Sequence, residues 1–364
     1  MGGTVASPGR VADLLAPVTV PVRSAGDPAR PDRAALEDAA DALRRGGLVA
    51  FPTETVYGLG AALDRPDALD RVFAAKGRPP TDPLIVHVPD REALEGIVAA
   101  FPEDAAALAD AFWPGPLTLV LPRGARTPDA VTAGGGAVGV RVPAHEVALG
   151  LLRAAGGPVA APSANRFGRI SPTGAGDVVA ELGDRLDPEL DLVLDGGPTP
   201  LGIESTVVDL AGATPRLLRP GGVAVEDVEA VVGPVEVVER RVVAEDEVAP
   251  APGGLLRHYA PGTPLVLVDG DARTVTDLRA AVAARGVDVR ALALPPGPDE
   301  AATALYRVLR DADGLGADVL VVGVVDPAGI GRAVNDRLFR AAHGRVVTDA
   351  GSRSVDRVVG QARA

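Results

Sequence analysis

The feature that most restricts the fold is an alternation of short apolar runs with amphipathic helical stretches, broken once by a Pro- and Gly-rich interval. The pattern in this 364-residue chain starts at residue 33, where Arg-Ala-Ala-Leu-Glu-Asp-Ala-Ala-Asp-Ala-Leu-Arg-Arg repeats its apolar positions at helical spacing and stops at Gly46-Gly47. It predicts a strand at 48–51, a helix at 66–75, a strand at 84–88, helices at 90–100 and 103–112, and strands at 117–121 and 137–142. A helix at 145–154 leads to strands at 158–161, 192–195, 204–210 and 216–219, which together make an α/β domain with a mixed sheet. From 234 to 263 the text turns to Glu, Val, Arg and Pro and reads as a linker. Beyond it come three strand-helix pairs, 265–269 with 273–285, 288–293 with 298–312, and 318–325 with 330–342. That is the pattern of a small parallel, doubly wound sheet. Residues 1–30 carry no period and are expected to form a poorly ordered extension.

Composition narrows the function class. Hydrophobic residues make up 47% of the chain, enough for two separate cores. There is no cysteine, so disulfides, thiolate nucleophiles and cysteine metal sites are excluded, and none of the four histidines stands at zinc-ligand spacing from another. No apolar run reaches the roughly 18 to 20 residues of a membrane span, and no signal-like segment opens the chain, so a cytoplasmic enzyme is expected. A net charge of −13 argues against strong direct binding to nucleic acid, which needs a basic footprint.

Scarce polar types gather in a few loops. Lys76 is the only lysine, every other fixed cation being arginine, and it lies in Lys76-Gly77-Arg78-Pro79-Pro80. One of two asparagines is in Ala161-Pro162-Ser163-Ala164-Asn165, and Ser163, Ser171 and Ser205 all sit in short Pro- or Gly-bounded segments. Binding groups commonly occupy such loops on a rigid scaffold. Lysine is a compact point charge and arginine a planar fork, so Lys76 and Arg78 on a stiff loop suit a triphosphate, although a solvated charged loop reads the same way. The Walker pattern is absent, so no P-loop is expected.

The segment Phe51-Pro52-Thr53-Glu54-Thr55-Val56-Tyr57 sends two hydroxyls and a carboxylate from a strand end, where open α/β sheets bind ligands; it also fits a Pro-initiated turn. His87 lies in an otherwise apolar strand, a setting that more often holds a structural histidine than a ligand contact. Arg141, flanked by valines, needs an anion, which a structural or a substrate carboxylate would supply. Neither Ser163 nor Ser205 has a nucleophile-elbow pattern, so hydrogen bonding to a small polar ligand fits better than nucleophilic hydrolysis.

Eight ordered motifs over residues 46–222 resemble the YrdC-like family: Phe-Pro-Thr-Glu-Thr-Val-Tyr-Gly-Leu-Gly, Ala-Lys-Gly-Arg-Pro-Pro, Pro-Leu-Ile-Val-His-Val, Trp-Pro-Gly-Pro-Leu-Thr-Leu-Val, Val-Arg-Val-Pro, Ala-Pro-Ser-Ala-Asn, Glu-Ser-Thr-Val-Val-Asp and Leu-Arg-Pro-Gly. The Arg-His-Tyr-Ala-Pro segment and the C-terminal α/β unit resemble the long, two-domain L-threonylcarbamoyladenylate synthases of that family. The resemblance implies a twisted mixed sheet with a large concave cleft at 31–233, a linker and lid at 234–263, and a smaller Rossmann-like α/β domain at 264–364. It implies synthesis of threonylcarbamoyl-AMP from L-threonine, bicarbonate and ATP, with Mg²⁺ accompanying the nucleotide and a tRNA threonylcarbamoyl transferase downstream. By the same resemblance Thr55, Tyr57, His87, Arg141, Ser163 and Ser205 would hold threonine or its carbamate, Tyr57 closing the pocket. Lys76, Arg78, Asp82, Asn165, Ser171, Arg219 and Tyr259 would hold ATP, Lys76 and Arg78 being the catalytic cations, and His258 with Tyr259 would form the lid. Ala137 stands where many relatives carry a hydroxyl. An RNA-binding or assembly module on the same fold is the competing reading, against which the acidic balance speaks.

Overall fold

The computed structural model describes residues 20–238 and 258–363. Most of the expected N-terminal extension and the middle of the expected linker lie outside the described residues. The first helix, Arg33–Arg44, starts where the Asp32 carboxylate accepts the Ala35 N–H and buries Leu36, Ala39, Ala40 and Leu43 on one stripe. Helix Pro66–Lys76 opens with proline in its first turn and ends at Gly77, whose φ of 61° suits glycine. That left-handed residue turns the chain so that Arg78 follows directly from the helix end.

Eleven strands form one mixed sheet, in the order Val22–Ser24, Leu192–Asp195, Val49–Phe51, Gly58–Ala62, Val159–Ala160, Ile85–His87, Ala137–Arg141, Leu117–Pro122, Thr206–Asp209, Arg216–Arg219, Glu236–Val237. Strands Ile85–His87 and Ala137–Arg141 run parallel with His87 opposite Arg141, so two expected ligand groups become neighbours by register alone. The C-terminal unit is a four-stranded parallel sheet ordered Val289–Leu292, Val319–Gly323, Leu265–Val268, Val346–Val347. Leu265, Leu267, Leu320 and Val322 face helices Pro298–Asp313 and Gly331–Ala341, while Val266, Val268, Val319 and Val321 face Ala272–Ala283 and Ser352–Ala362. Its layers are Rossmann-like; its strand order is not that of a dinucleotide-binding half. No helix among the described residues is long and apolar enough to cross a membrane.

Several local expectations are corrected. Residues 90–100 make only the short turn Glu92–Leu94, because Gly96 adopts φ 73° and ends the helical path. Gly58–Ala62, where no strand was expected, is a central strand; a Cβ on Gly60 would stand 2.7 Å from Val159 and 2.8 Å from Phe51, so glycine marks a close approach rather than a turn. Residues beyond 19 are not a loose arm: Val22–Ser24 pairs with Leu192–Asp195, and Val20 and Ala25 are buried. Glu236–Val237, inside the expected linker, pairs with Arg216 and Leu217.

Asp191 ties the start of strand Val49–Phe51 to the start of its neighbour Leu192–Asp195. Its carboxylate accepts the N–H groups of Leu48 and Asp187 and pairs with Arg71 at 2.6 Å. Replacing Asp191 by Ala removes the acceptor of the buried Leu48 amide and the partner of the half-buried Arg71, so stability should fall by about 2 kcal/mol. Urea denaturation checks this; a loss under about 1 kcal/mol would show that the strand start does not depend on Asp191.

Candidate active site

The pocket is assembled from strand ends and the loops that leave them. After strand Val49–Phe51, the Thr53 hydroxyl donates to the Val56 carbonyl at 2.7 Å and accepts the Thr55 and Val56 N–H groups, closing a tight turn. That turn holds the Thr55 hydroxyl 3.0 Å from Arg141 Nη1. Arg141 also donates to the Gly115 carbonyl at 3.2 Å and pairs with Glu54 at 2.7 Å. His87, beside it in register, is buried; desolvation first, and the Arg141 charge second, push its pKa down to about 3. The imidazole is therefore neutral across the physiological range and offers hydrogen bonds, not charge.

On the opposite wall, Ser205 Oγ lies 2.8 Å from Thr118 Oγ1, and Arg219 Nη2 donates to Ser205 Oγ at 3.1 Å and to its carbonyl at 2.9 Å. The following turn packs so closely that a Cβ on Gly221 would come 2.3 Å from the Ser205 carbonyl carbon. Only glycine lets Arg219 lie flat on this strand. Arg78 is buried against Asp82 at 3.0 Å and donates to the Pro83 carbonyl at 2.7 Å. Lys76 donates to the carbonyls of Ser163 and Asn165, both at 2.5 Å, and its burial and the nearby Arg78 push the ammonium well below the usual lysine range.

The two residues expected to form a lid, His258 and Tyr259, line the pocket. His258 Nε2 stands 3.7 Å from Asp82, and its ring meets the Phe167 ring edge-on at 4.9 Å. Tyr259 is buried with φ 63°. The remaining cavity is about 50 Å³, far below the several hundred Å³ of a typical ligand site, so the expected large cleft is filled in this conformation.

Of the residues expected from sequence, Thr55, Arg78, His87, Arg141, Ser163, Ser205, Arg219, His258 and Tyr259 line this cavity. Others stand behind it. Tyr57 does not close the pocket here, because its hydroxyl turns away and donates to the Gly197 carbonyl at 2.7 Å. Asn165 donates its amide to the Arg166 and Arg169 carbonyls, Ser171 donates to Glu204, Asp82 backs Arg78, and Lys76 holds the Ser163 loop. Ala137 pairs with Pro122 away from the lining. Thr53, one of the two hydroxyls expected at the strand end, lines the pocket too; Glu204 lines it without having been singled out, although it lies inside a quoted motif.

No group of three or more histidine, aspartate or glutamate side chains that could hold a metal occurs among the described residues. The carboxylates at and behind the pocket, Glu204, Asp82 and Glu54, are each ion-paired with arginine.

The fold and site thus define an α/β protein with a buried, arginine-lined pocket, bounded on one side by residues at the entry to a second domain. The family model described as "Telomere recombination" matches residues 41–221, and that described as "Threonylcarbamoyl-AMP synthase, C-terminal domain" matches 223–343. The threonylcarbamoyl-AMP synthase of Pyrococcus abyssi is 42% identical over 85% of this chain and 94% of its own length. That of Bacillus subtilis is 40% identical over 86% and 94%. The crystal structure of P. abyssi Sua5 complexed with L-threonine superposes with a TM-score of 0.84 at 39% identity, covering 90% of this chain and 99% of that one. The chain belongs to the threonylcarbamoyl-AMP synthase family, in its long, two-domain form.

Burial of neutral His87 makes stability depend on pH. The unfolded chain protonates this histidine near 6.5 and the folded chain only near 3, so the unfolded state binds more protons in between and stability falls as pH drops through that window. A His87→Gln variant should therefore show a shallower loss of stability between about pH 7 and about pH 5 than the unaltered protein. Urea midpoints at several pH values read this directly, and equal slopes would mean that His87 is not held neutral.

Proposed function

We propose that the chain joins L-threonine, bicarbonate and ATP into threonylcarbamoyl-AMP, releasing pyrophosphate and water, and that the product serves threonylcarbamoyladenosine formation in tRNA. The observation that carries this reading is the division of the pocket. Arg141, Thr55 and His87 form one end suited to an amino-acid carboxylate and hydroxyl, and Arg78 and Arg219 form another suited to phosphates. The names of the relatives, and the L-threonine in the P. abyssi structure, support the same assignment.

The chemistry needs no nucleophile from the protein. The threonine amine attacks bicarbonate carbon and water leaves, giving a carbamate; a carbamate oxygen then attacks the α-phosphorus and the bond to pyrophosphate breaks. Ser205 sits against Thr118 and Arg219, not against a base, as a binding hydroxyl would. Arg141 and Thr55 orient threonine, neutral His87 accepts or donates a hydrogen bond without competing charge, and Arg78 with Arg219 neutralises the phosphates. Magnesium, entering with ATP, supplies further neutralisation of phosphate charge. Ser163 offers its hydroxyl from the loop that Lys76 holds. Carbamate and mixed anhydride are both hydrolysable, so His258 and Tyr259 must withdraw to admit the substrates and return to exclude water. The setting is cytoplasmic, with a tRNA threonylcarbamoyl transferase as the downstream partner.

Pyrophosphate release with ATP and Mg²⁺, omitting L-threonine or bicarbonate in turn, should require both, and mass spectrometry of the quenched mixture should show threonylcarbamoyl-AMP. Release independent of threonine would overturn the reading in favour of RNA binding. Arg78→Ala should lower turnover by about 100-fold or more with the fold retained, and Lys76→Arg should fail to replace the ammonium. Activity of either variant near that of the unaltered protein would remove its residue from the assignment.

A further inference from the structure

Glu204 opens onto the pocket, yet none of the substrate-binding groups named above neutralises it by direct pairing. Ser171 donates to its Oε1 at 2.6 Å, Arg337 Nε donates to Oε2 at 2.8 Å, and the Tyr306 hydroxyl lies 3.0 and 2.8 Å from the two oxygens. Arg337 and Tyr306 come from helices Gly331–Ala341 and Pro298–Asp313 of the C-terminal unit, and both are fully buried at 0% exposure. Glu204 immediately precedes Ser205, whose carbonyl carries Arg219.

The same two side chains make the floor under the lid. The Tyr259 and Tyr306 rings stack 5.7 Å apart at 26°, and the Arg337 guanidinium lies 5.1 Å from the Tyr259 centroid. The surrounding apolar cluster also crosses between the domains, joining Val56, Ile170 and Ile203 to Leu305, Leu309 and Val334.

An ionised carboxylate at the wall of a phosphate pocket repels its ligand unless a cation answers it. Burial pushes the Glu204 carboxyl up, but Arg337 and then Arg219 outweigh burial and hold it below the usual carboxylate range. The charge therefore persists in the site, and its main counter-charge is carried by the other domain. Breaking a buried pair by removing one partner leaves the other charge uncompensated, which is costly in a dry environment.

We infer that Arg337 and Tyr306 are positioning residues of the active site. By neutralising and hydrogen-bonding Glu204 beside Ser205 and Arg219 they keep its charge from repelling the nucleotide, so the C-terminal domain completes the nucleotide end of the pocket. This rests on the reading of that pocket as an ATP site.

Three full-length variants test it. Arg337→Met leaves Glu204 ionised and unpaired; Arg337→Met with Glu204→Gln removes both charges; Tyr306→Phe keeps the stacked ring and removes only the hydroxyl. Threonine-dependent pyrophosphate release is measured over a range of ATP at saturating L-threonine and bicarbonate. Arg337→Met should raise the KM for ATP by more than about 30-fold, and the double variant should return to within about fivefold of the unaltered protein. Tyr306→Phe should raise the KM for ATP by about fivefold while kcat changes little. Equal impairment of the single and double variants, or an unaltered KM in Tyr306→Phe, would reduce the pair to domain packing and overturn the inference. If Arg337→Met does not fold, Tyr306→Phe decides alone. Unaltered protein that releases no threonine-dependent pyrophosphate would overturn the proposed function itself, and the inference with it.

Discussion

The pocket depends on pairing buried arginines with buried carboxylates. Arg78 lies against Asp82, Arg141 against Glu54, and Glu204 is shared between Arg337 and the field of Arg219. A guanidinium cannot be taken out of water alone, and a bare cluster of them would not pack at all. Each internal carboxylate keeps an arginine dry and oriented before any ligand arrives. An anionic ligand then meets cations whose desolvation was completed on folding, which strengthens the interaction relative to the same groups in water.

His258 and Tyr259, at the entry to the C-terminal unit, line the same pocket. His258 reaches Asp82, while Tyr259 lies on Tyr306 and Arg337, in a left-handed conformation that a non-glycine residue adopts only when its surroundings hold it there. The contacts that hold it come from both domains. The placing of His258 and Tyr259 and the docking of the C-terminal unit are thus one packing problem rather than two, with Tyr306 and Arg337 common to both.

Local signals carried much of this into the sequence, and long-range ones did not. The Asp32 cap, the proline start of Pro66–Lys76 and the left-handed Gly77 are nearest-neighbour effects, so those helices were legible. The pocket residues were legible as rare polar types in Pro- and Gly-bounded loops. Gly58–Ala62 was not, because its glycines answer Val159 and Phe51 across the sheet rather than any turn in their own segment. Tyr57 was misplaced for a similar reason: the carbonyl that takes its hydroxyl is Gly197, distant in sequence. Arg337 gave no local sign, since one arginine on an amphipathic helix looks solvated until the domain opposite supplies Glu204.

The lone lysine shows how a composition signal can be right about importance and incomplete about cause. Lys76 was singled out because arginine had replaced lysine everywhere else, and a phosphate was the obvious reason. The ammonium instead sits between the carbonyls of Ser163 and Asn165 at 2.5 Å each, at 3% exposure. A small tetrahedral head fits that gap, whereas a planar guanidinium would push the two carbonyls apart and with them the loop that presents Ser163. Lys76 therefore shapes the loop that presents Ser163, a role that a wider, flatter cation does not fill.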